Sequence, residues 1–275
     1  MRDAFARGHR DGSGGTVVGL HRRAPSLVTI KRPDEVARMR HAGSILIGIL
    51  EAFETALRPG VTTAELDRLA DRMMRDAGAV PSFKGYHGFP GSICASVNDE
   101  VVHGIPSSTR RIREGDVVSL DIGCIWQGWH ADCARTYAVG PVAQPAALDL
   151  IDATRRAMES GIAAAVVGNR LGDVGAAIEA VAAQGGYGVV RPFVGHGIGT
   201  AMHEEPQVPN YGRPGTGLRL EAGMCLAIEP MFNLGGDEVY VEDDGWTVRT
   251  ADGSLSAHFE NTIAIGESSP EVLTE

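Results

Sequence analysis

Residues 117–136 read VVSLDIGCIWQGWHADCART and predict a β-hairpin with a two-residue turn at 127–128. With that turn, Gly123 faces Asp132 across the hairpin. Side chains alternate with a period of two, so Asp121 shares the face of Asp132 at a distance of ~7 Å. Two carboxylates this close are unfavourable unless a cation lies between them or one is protonated. The hairpin therefore indicates metal binding or acid-base chemistry, and the alternative is a pair of solvated aspartates.

Composition narrows the class of protein. A chain of 275 residues fits one large domain or two small ones and can bury a sizeable core. The net charge of -10 argues against nucleic acid or a membrane surface as the main partner. The four cysteines show no C-x-x-C spacing, which is typical of a reducing compartment. Because the sequence also has no apolar run of membrane-spanning length and no signal peptide, we expect a cytoplasmic protein.

The chain divides into a tail and a folded domain. Residues 1–29 are rich in Gly and Arg, and we expect them to form a flexible tail. Residues 30–275 are predicted to form one domain of the α/β (α+β) class, with a first half at about 30–140 and a second at about 145–267. Two helices open the first half: one follows Pro33, and a capping box of Thr62 and Glu65 begins the next.

The second half repeats the first at an offset of 108 residues. This shift aligns the following pairs: Gly60 with Gly168, Leu66 with Val174, Gly78 with Gly186, Gly115 with Gly223, and Asp121 with Glu229. An internal duplication with a pseudo-twofold axis brings equivalent residues together at the middle. Each half then adds an acid from a following strand, and the predicted cluster is Asp121, Asp132, His196, Glu229 and Glu260. Four carboxylates and one imidazole can converge only around cations, and they supply enough ligands for two divalent ions.

Residues 30 to about 266 resemble the type I methionine aminopeptidases, the peptidase group with the duplicated pita-bread fold, a curved antiparallel sheet covered by helices. The segments that carry the resemblance are YHGFPGSIC (86–94), NDEVVHGIP (98–106), DIGCIWQGWHAD (121–132), GHGIG (195–199), MHEEPQVPN (202–210), LAIEPM (226–231), DGWTV (244–248) and FENT (259–262). The resemblance implies that Asp121 chelates one metal, that Asp132 and Glu260 bridge both, and that His196 and Glu229 hold the other. The metals would be Co, Mn or Fe.

The resemblance also implies the catalytic and substrate-binding residues. Glu229 would carry a proton from water to the leaving nitrogen, and His103 and His203 would contact the peptide and the oxyanion. A pocket for the methionine side chain would be lined by Tyr86, Phe89, Cys94, Met202 and Trp246. Three positions depart from the bacterial pattern of the family, and they leave the shape of the pocket and the tuning of the site open: Phe83, Met202 and Asn261.

The implied activity is removal of the N-terminal methionine from nascent proteins when the second residue is small. The expected enzyme is a monomer whose partners are nascent polypeptide N-termini, with ribosome association left open, and with no nucleic acid or membrane partner. An X-Pro aminopeptidase or dipeptidase would keep all five ligands but would carry a large N-terminal domain. A non-catalytic binding protein of this fold would lack a ligand, and a two-metal phosphoesterase would need Lys or Arg near the motifs.

Several polar side chains lie outside these motifs. The sequence gives no context for His9, His21, His41 and His258, which we expect to be solvated. His87 and His130 are equally compatible with a supporting role at the site and with a purely structural one. Glu204 and Glu205 resemble metal ligands, but their loop is expected to expose them.

Overall fold

The computed structural model describes residues 28–142 and 144–275. Residues 1–27 of the predicted tail lie outside this range, as do His9 and His21. The two tail residues that are described, Val28 and Thr29, contact the folded domain: Val28 packs against the core of the second half, and Thr29 donates a hydrogen bond to Glu204.

Two pairs of helices occur in the described residues, one pair in each half of the chain. Their bounds are α1 (Pro33–Ala56), α2 (Thr63–Asp76), α3 (Ala146–Ala164) and α4 (Leu171–Gly185), with a short 3-10 turn at Tyr86–Gly88. Thr62 caps α2 as predicted: its hydroxyl oxygen accepts from the Glu65 N–H, and the Glu65 carboxylate accepts from the Thr62 N–H. None of these helices is long and apolar enough to cross a membrane.

The strands form one large sheet and two small ones, and every pairing is antiparallel. The strands are β1 (Val80–Pro81), β2 (Ile93–Val97), β3 (Glu100–Val102), β4 (Val117–Trp126), β5 (Trp129–Ala138), β6 (Gly188–Val189), β7 (Gly195–Gly197), β8 (Glu204–Val208), β9 (Cys225–Ile228), β10 (Met231–Asn233), β11 (Val239–Val241), β12 (Val248–Thr250), β13 (Ser256–His258), β14 (Glu260–Ile265) and β15 (Pro270–Val272). The large sheet runs in the order β1-β4-β5-β14-β9-β7-β8, with β2 also on β4 and β15 also on β14. The small sheets are β13-β10-β6 and β11-β12-β3.

The hairpin of β4 and β5 has the predicted register. Trp126 pairs with Trp129 around the turn, and Gly123 pairs with Asp132. Both turn residues, Gln127 and Gly128, have positive φ, as the two central residues of a type I′ hairpin turn require. The period of two from Asp132 therefore places Asp121 on the same face of the sheet.

The duplication is visible in the backbone. Gly60 and its equivalent Gly168 both have φ of 93°, and both follow the first helix of their half. Isolated bridges join Thr62 to Arg111 and Arg170 to Arg219, so the second bridge is the first displaced by 108 residues at both ends. An equivalent turn and an equivalent bridge thus recur in the two halves at one constant offset.

The two halves meet at the pairing of β5 with β14 in the middle of the large sheet. In the first half α1 packs against β4 and β5, and α2 packs against α1 and β2. In the second half α3 packs against β9 and β14, and α4 packs against α3. Where β5 meets β14, the Thr262 hydroxyl donates to the Asp132 carbonyl at 2.8 Å and accepts from the Asp132 N–H at 2.9 Å. These two hydrogen bonds fix the backbone of a predicted metal ligand.

Candidate metal centre and substrate pocket

Five neighbouring strands bring together the acids and the imidazole that the sequence analysis selected. Asp121 lies on β4, Asp132 on β5, Glu260 on β14, Glu229 directly after β9 and His196 on β7, and these strands are consecutive in the sheet. Ligand atoms of Asp132, His196 and Glu260 lie within 4.8 Å of one another, and all three side chains are buried. The His196 Nε2 lies 3.6 Å from the Glu229 Oε1.

The carboxyl groups of this cluster are buried close together, and this raises their pKa values. Burial raises the pKa of Asp121 from 3.8 to about 7, and Glu229 adds to the effect. Burial likewise raises the pKa of Glu229 from 4.5 to about 7, against the opposing influence of His196. The pKa values of Asp132 and Glu260 are raised well above their ordinary values, first by burial and then by the neighbouring carboxylates. Without cations the cluster must hold protons.

Unpaired buried atoms show that the residues fit a bound divalent metal. One carboxylate oxygen each of Asp121, Asp132 and Glu260 is fully buried and has no hydrogen-bond partner among the described residues. The Nδ1 of His196 donates to the Gly197 carbonyl at 2.8 Å, which leaves the Nε2 with its lone pair. That lone pair faces the Glu229 carboxylate, and two acceptors at 3.6 Å are favourable only with a cation or a proton between them. An oxygen-rich set with one imidazole suits divalent first-row metals.

A cluster of apolar side chains, which we call the pocket, adjoins the acid cluster. Phe83, Phe89, Cys94 and Met202 form a buried group, and three partly buried side chains pack against it: Tyr86, Ile105 and Trp246. Cys94 pairs with Asp121 across β2 and β4, so the pocket begins one strand away from the carboxylates. All five side chains predicted for the pocket are thus gathered in one cluster, and sequence reasoning missed Ile105.

The two histidines predicted to be near the substrate lie between the pocket and the acids. The ring centroids of His203 and His196 are 4.2 Å apart, and the Tyr86 hydroxyl lies 2.8 Å from the His203 Nδ1. The ring of His103 packs edge-on against Trp246 at 6.3 Å. Burial lowers the pKa of His103 to about 4, and loss of hydration also lowers the pKa of His203, so both rings are neutral at pH 7.

His103 has an unusual backbone conformation. Its φ is 61°, in the left-handed region that non-glycine residues seldom occupy. The following residue fixes this conformation: the Gly104 N–H donates to the Ser96 hydroxyl at 3.1 Å, and the Gly104 carbonyl accepts from the Ala95 N–H at 2.9 Å. The turn after β3 therefore holds the imidazole beside the pocket.

The cluster of acids and its flanking motifs match one family of proteins. The model of metallopeptidase family M24 matches residues 37–267. The chain belongs to this family. It is therefore an enzyme of the hydrolase class, and divalent metal ions are part of its chemistry.

Relatives of this M24 peptidase agree on one activity. A methionine aminopeptidase of Clostridium acetobutylicum is 52% identical over 248 residues, which cover 90% of this chain and 99% of that one. Methionine aminopeptidase 1 of Mycobacterium tuberculosis is 47% identical over 258 residues, which cover 92% and 97%. This enzyme is therefore grouped by homology with the methionine aminopeptidases, and the alternative of an X-Pro peptidase is not favoured.

Solved structures agree on the fold of this M24 peptidase. The crystal structure of methionine aminopeptidase from Rickettsia prowazekii has a TM-score of 0.88 and 40% identity, and the match covers 90% of this chain and all of that one. The prolidase from Pyrococcus furiosus has a TM-score of 0.73 at 22% identity, and the match covers 65% of its chain. The pita-bread fold predicted from the sequence is confirmed.

The structure corrects two predictions about residues of this M24 peptidase outside the motifs. His258 is not solvated: it is 2% exposed, and its Nε2 lies 3.7 Å from the Glu229 Oε2. The signal that could have found it is its position two residues before the predicted ligand Glu260. Glu204 is not exposed either, because it forms a buried ion pair of 2.8 Å with Lys31, whereas Glu205 is exposed as expected.

The other histidines are placed as follows. His41 is exposed and stacks beside Trp126, and His87 is also exposed. His130 is buried, and its Nδ1 lies 2.9 Å from the Ser82 hydroxyl. Because Ser82 precedes the pocket residue Phe83, this contact supports one wall of the pocket.

Proposed function

We propose that this enzyme removes the N-terminal methionine from nascent proteins whose second residue is small, using two divalent metal ions per chain. The proposed metal ligands are Asp121, Asp132, His196, Glu229 and Glu260. The proposed catalytic residues are His103, His203 and Glu229. The proposed substrate-binding residues are His103, His203, Tyr86, Phe89, Cys94, Met202 and Trp246.

One observation carries the proposal: a cluster of buried acids with unpaired oxygens directly adjoins the apolar pocket. The cross-strand pair of Cys94 and Asp121 joins the two. A peptide that fills the pocket with its first side chain presents its α-amine and its first carbonyl to the acids. This arrangement favours an aminopeptidase, because only the first residue of a chain has no preceding segment to accommodate.

The ligands would divide between two ions as the sequence resemblance implies. Asp132 and Glu260 lie on the two central strands and would bridge both ions, while Asp121 would hold one ion and His196 with Glu229 the other. The chemistry that such ions supply is activation of water near neutral pH and polarisation of a carbonyl oxygen. The donor set suits Co, Mn or Fe and does not select strongly among them.

Proton transfer is the proposed task of Glu229. Its carboxylate lies beside the His196 Nε2, where it would accept a proton from water and return it to the leaving nitrogen. The Tyr86 hydroxyl lies against the His203 Nδ1, and donation from the hydroxyl leaves the Nε2–H of His203 free. His203 and His103 would then donate hydrogen bonds to the peptide and to the oxyanion.

Specificity for methionine would come from the character of the pocket. A flexible thioether packs well on aromatic rings and sulfur. Phe89 and Trp246 meet edge to face at a centroid distance of 5.1 Å, and Cys94 and Met202 contribute sulfur. Phe83, one of the departures from the family pattern, belongs to the same buried cluster and would narrow the pocket.

The proposed setting is the cytoplasm, with nascent N-termini as partners and the enzyme acting as a monomer. All four cysteines are free and buried, which fits a reducing compartment. Ribosome association would place the enzyme near its substrates, and co-sedimentation with ribosomes tests it.

A peptide assay with and without chelator tests the proposed function. We expect release of methionine from Met-Ala-Ser, little release from Met-Lys-Ser, no cleavage of Gly-Pro-Ala, and loss of all activity on removal of metal. Preferred cleavage of Gly-Pro-Ala would favour an X-Pro peptidase instead. Full activity in the presence of chelator would contradict the metal mechanism.

Substitution of His203 tests the role of a histidine that holds no metal. His203→Ala should retain bound metal and lose about 100-fold in kcat, the magnitude of a lost oxyanion donor. Metal analysis and steady-state kinetics on the same preparation check both parts. An unchanged kcat would remove His203 from the mechanism.

A further inference from the structure

His258 is a buried imidazole to which the proposed mechanism gives no task. It ends β13, where it pairs with Met231 of β10. Its backbone is held on both sides by one hydroxyl: the His258 N–H donates to the Thr136 Oγ1 at 2.9 Å, and that hydroxyl donates to the His258 carbonyl at 2.7 Å. These bonds fix the backbone from which the imidazole extends into the site.

The ring of His258 faces the carboxylate of Glu229. Its Nε2 lies 3.7 Å from the Glu229 Oε2, and the His196 Nε2 lies 3.6 Å from the other oxygen, Oε1. Each oxygen of this one carboxylate thus has an imidazole nitrogen beside it. The Glu229 side chain is 14% exposed, so these two contacts account for much of its surroundings.

The two imidazoles differ in what they can offer. His196 uses its Nδ1–H on the Gly197 carbonyl, so its Nε2 is an acceptor that suits a metal ion. The Nε2 of His258 is fully buried and has no hydrogen-bond partner among the described residues, which is costly for a polar atom. The atom that this Nε2 faces is the Glu229 Oε2, and an ionised carboxylate oxygen can only accept. A donor to Glu229 therefore fits His258 better than a sixth metal ligand does.

We propose that His258 is a positioning residue that holds the Glu229 carboxylate for proton transfer by donating its Nε2–H to the Glu229 Oε2. The separation exceeds the ~3.2 Å of a good hydrogen bond, and a small rotation of either side chain closes it. This role rests on the proposed function, in which Glu229 carries the proton. It accounts for an imidazole in a site whose metal ligands are complete without it.

Two substitutions separate this role from a structural one. His258→Gln keeps an N–H donor at nearly the position of the Nε2, whereas His258→Leu keeps the volume and removes the donor. We expect His258→Leu to lower kcat by about 10- to 100-fold, the effect of losing a hydrogen bond to a charged group, with KM nearly unchanged. We expect His258→Gln to recover kcat to within a few-fold of the wild type. The control is His41→Gln, which removes an exposed imidazole and should change nothing.

Two readouts do not depend on activity. Titration of each metal-free variant with Mn²⁺ by calorimetry should give affinities within a few-fold of the wild type, because His258 is not a ligand. Nitrogen-15 NMR of the histidine-labelled, metal-free chain should show the tautomer of His258 with its proton on Nε2. That spectrum also reports on His258 if the leucine variant fails to fold.

The results distinguish failure of the His258 proposal from failure of the proposed function. A His258→Leu variant with wild-type kcat, a His258→Gln variant as impaired as the leucine variant, or a proton on Nδ1 would each overturn the proposal. Loss of metal affinity in His258→Gln would make His258 a ligand and would also overturn it. Absence of methionine release by the wild-type enzyme would instead refute the proposed function, whatever the tautomer of His258.

Discussion

Removal of the metal should make the stability of this protein fall as the pH rises from 5 to 7. In the metal-free fold the pKa of Asp121 is raised from 3.8 to about 7, chiefly by burial. The folded protein therefore keeps a proton on this carboxyl at pH values where the unfolded chain has released it. A raised pKa contributes stability that is complete below the unfolded value near 4 and is lost as the pH approaches 7.

The size of the effect follows from the number of protons retained. Each proton held by the fold and absent from the unfolded chain changes the free energy of unfolding by ~1.4 kcal/mol per pH unit. One retained proton therefore costs about 3 kcal/mol between pH 5 and pH 7. Glu229, whose pKa is also raised to about 7, can add to this loss. Bound divalent ions replace these protons, so the metal-saturated enzyme should lack the slope.

Urea unfolding followed by circular dichroism measures this directly. The experiment compares protein in chelator with protein in saturating Mn²⁺ at pH 5, 6 and 7. We expect the metal-free protein to lose about 3 kcal/mol or more across the series and the metal-bound protein to lose much less. A metal-free stability that is flat or rises with pH would refute the reasoning.

Three further predictions concern single positions. Asp132→Asn removes one charge from the crowded acids, so the metal-free variant should be more stable than the metal-free wild type at pH 8. The variant should also lose the rise in Tm that Mn²⁺ produces, and a normal rise would refute the bridging role of Asp132. Lys31→Met removes the buried cation that pairs with Glu204 and leaves that carboxylate only its hydrogen bonds from Thr29 and Ala201. This change should cost about 3 to 5 kcal/mol in urea unfolding, and most of that loss should be recovered when Glu204→Gln is added. On α1, Gly43→Ala should lower the free energy of unfolding by about 1 to 3 kcal/mol, because the new Cβ would overlap a carbonyl of the C-terminal segment. Gly48→Ala, which has open space around it, should raise the free energy of unfolding by up to about 1 kcal/mol. Equal shifts in Tm for the two variants would contradict the packing.

Much of the fold was predictable because its signals are local or repeated. The register of the central hairpin follows from its two-residue turn, and the helix at Thr62 follows from its capping box. The offset of 108 residues then predicted that Asp121 and Glu229 approach one another, although they are far apart in sequence. Periodicity and repetition carried these predictions without any knowledge of the tertiary packing.

The rest depended on contacts that local patterns do not encode. His258 directly precedes the FENT motif, but its burial results from the pairing of β13 with β10 and from the Thr136 hydroxyl. The ion pair of Lys31 with Glu204 joins residues 173 positions apart, so no local sequence pattern predicts it. Ile105 packs against the pocket from the segment after β3, and its position within the motif at 98–106 does not reveal which residues it contacts.

The claim that buried acids converge around a pair of cations is tested most directly by metal stoichiometry. Metal-free protein is titrated with Mn²⁺ by calorimetry at pH 7.5, and the bound metal is then counted by elemental analysis. The account predicts two ions per chain, release of protons on binding, and loss of binding in Asp132→Asn. Binding of less than one ion per chain, with methionine release undiminished in chelator, would contradict it.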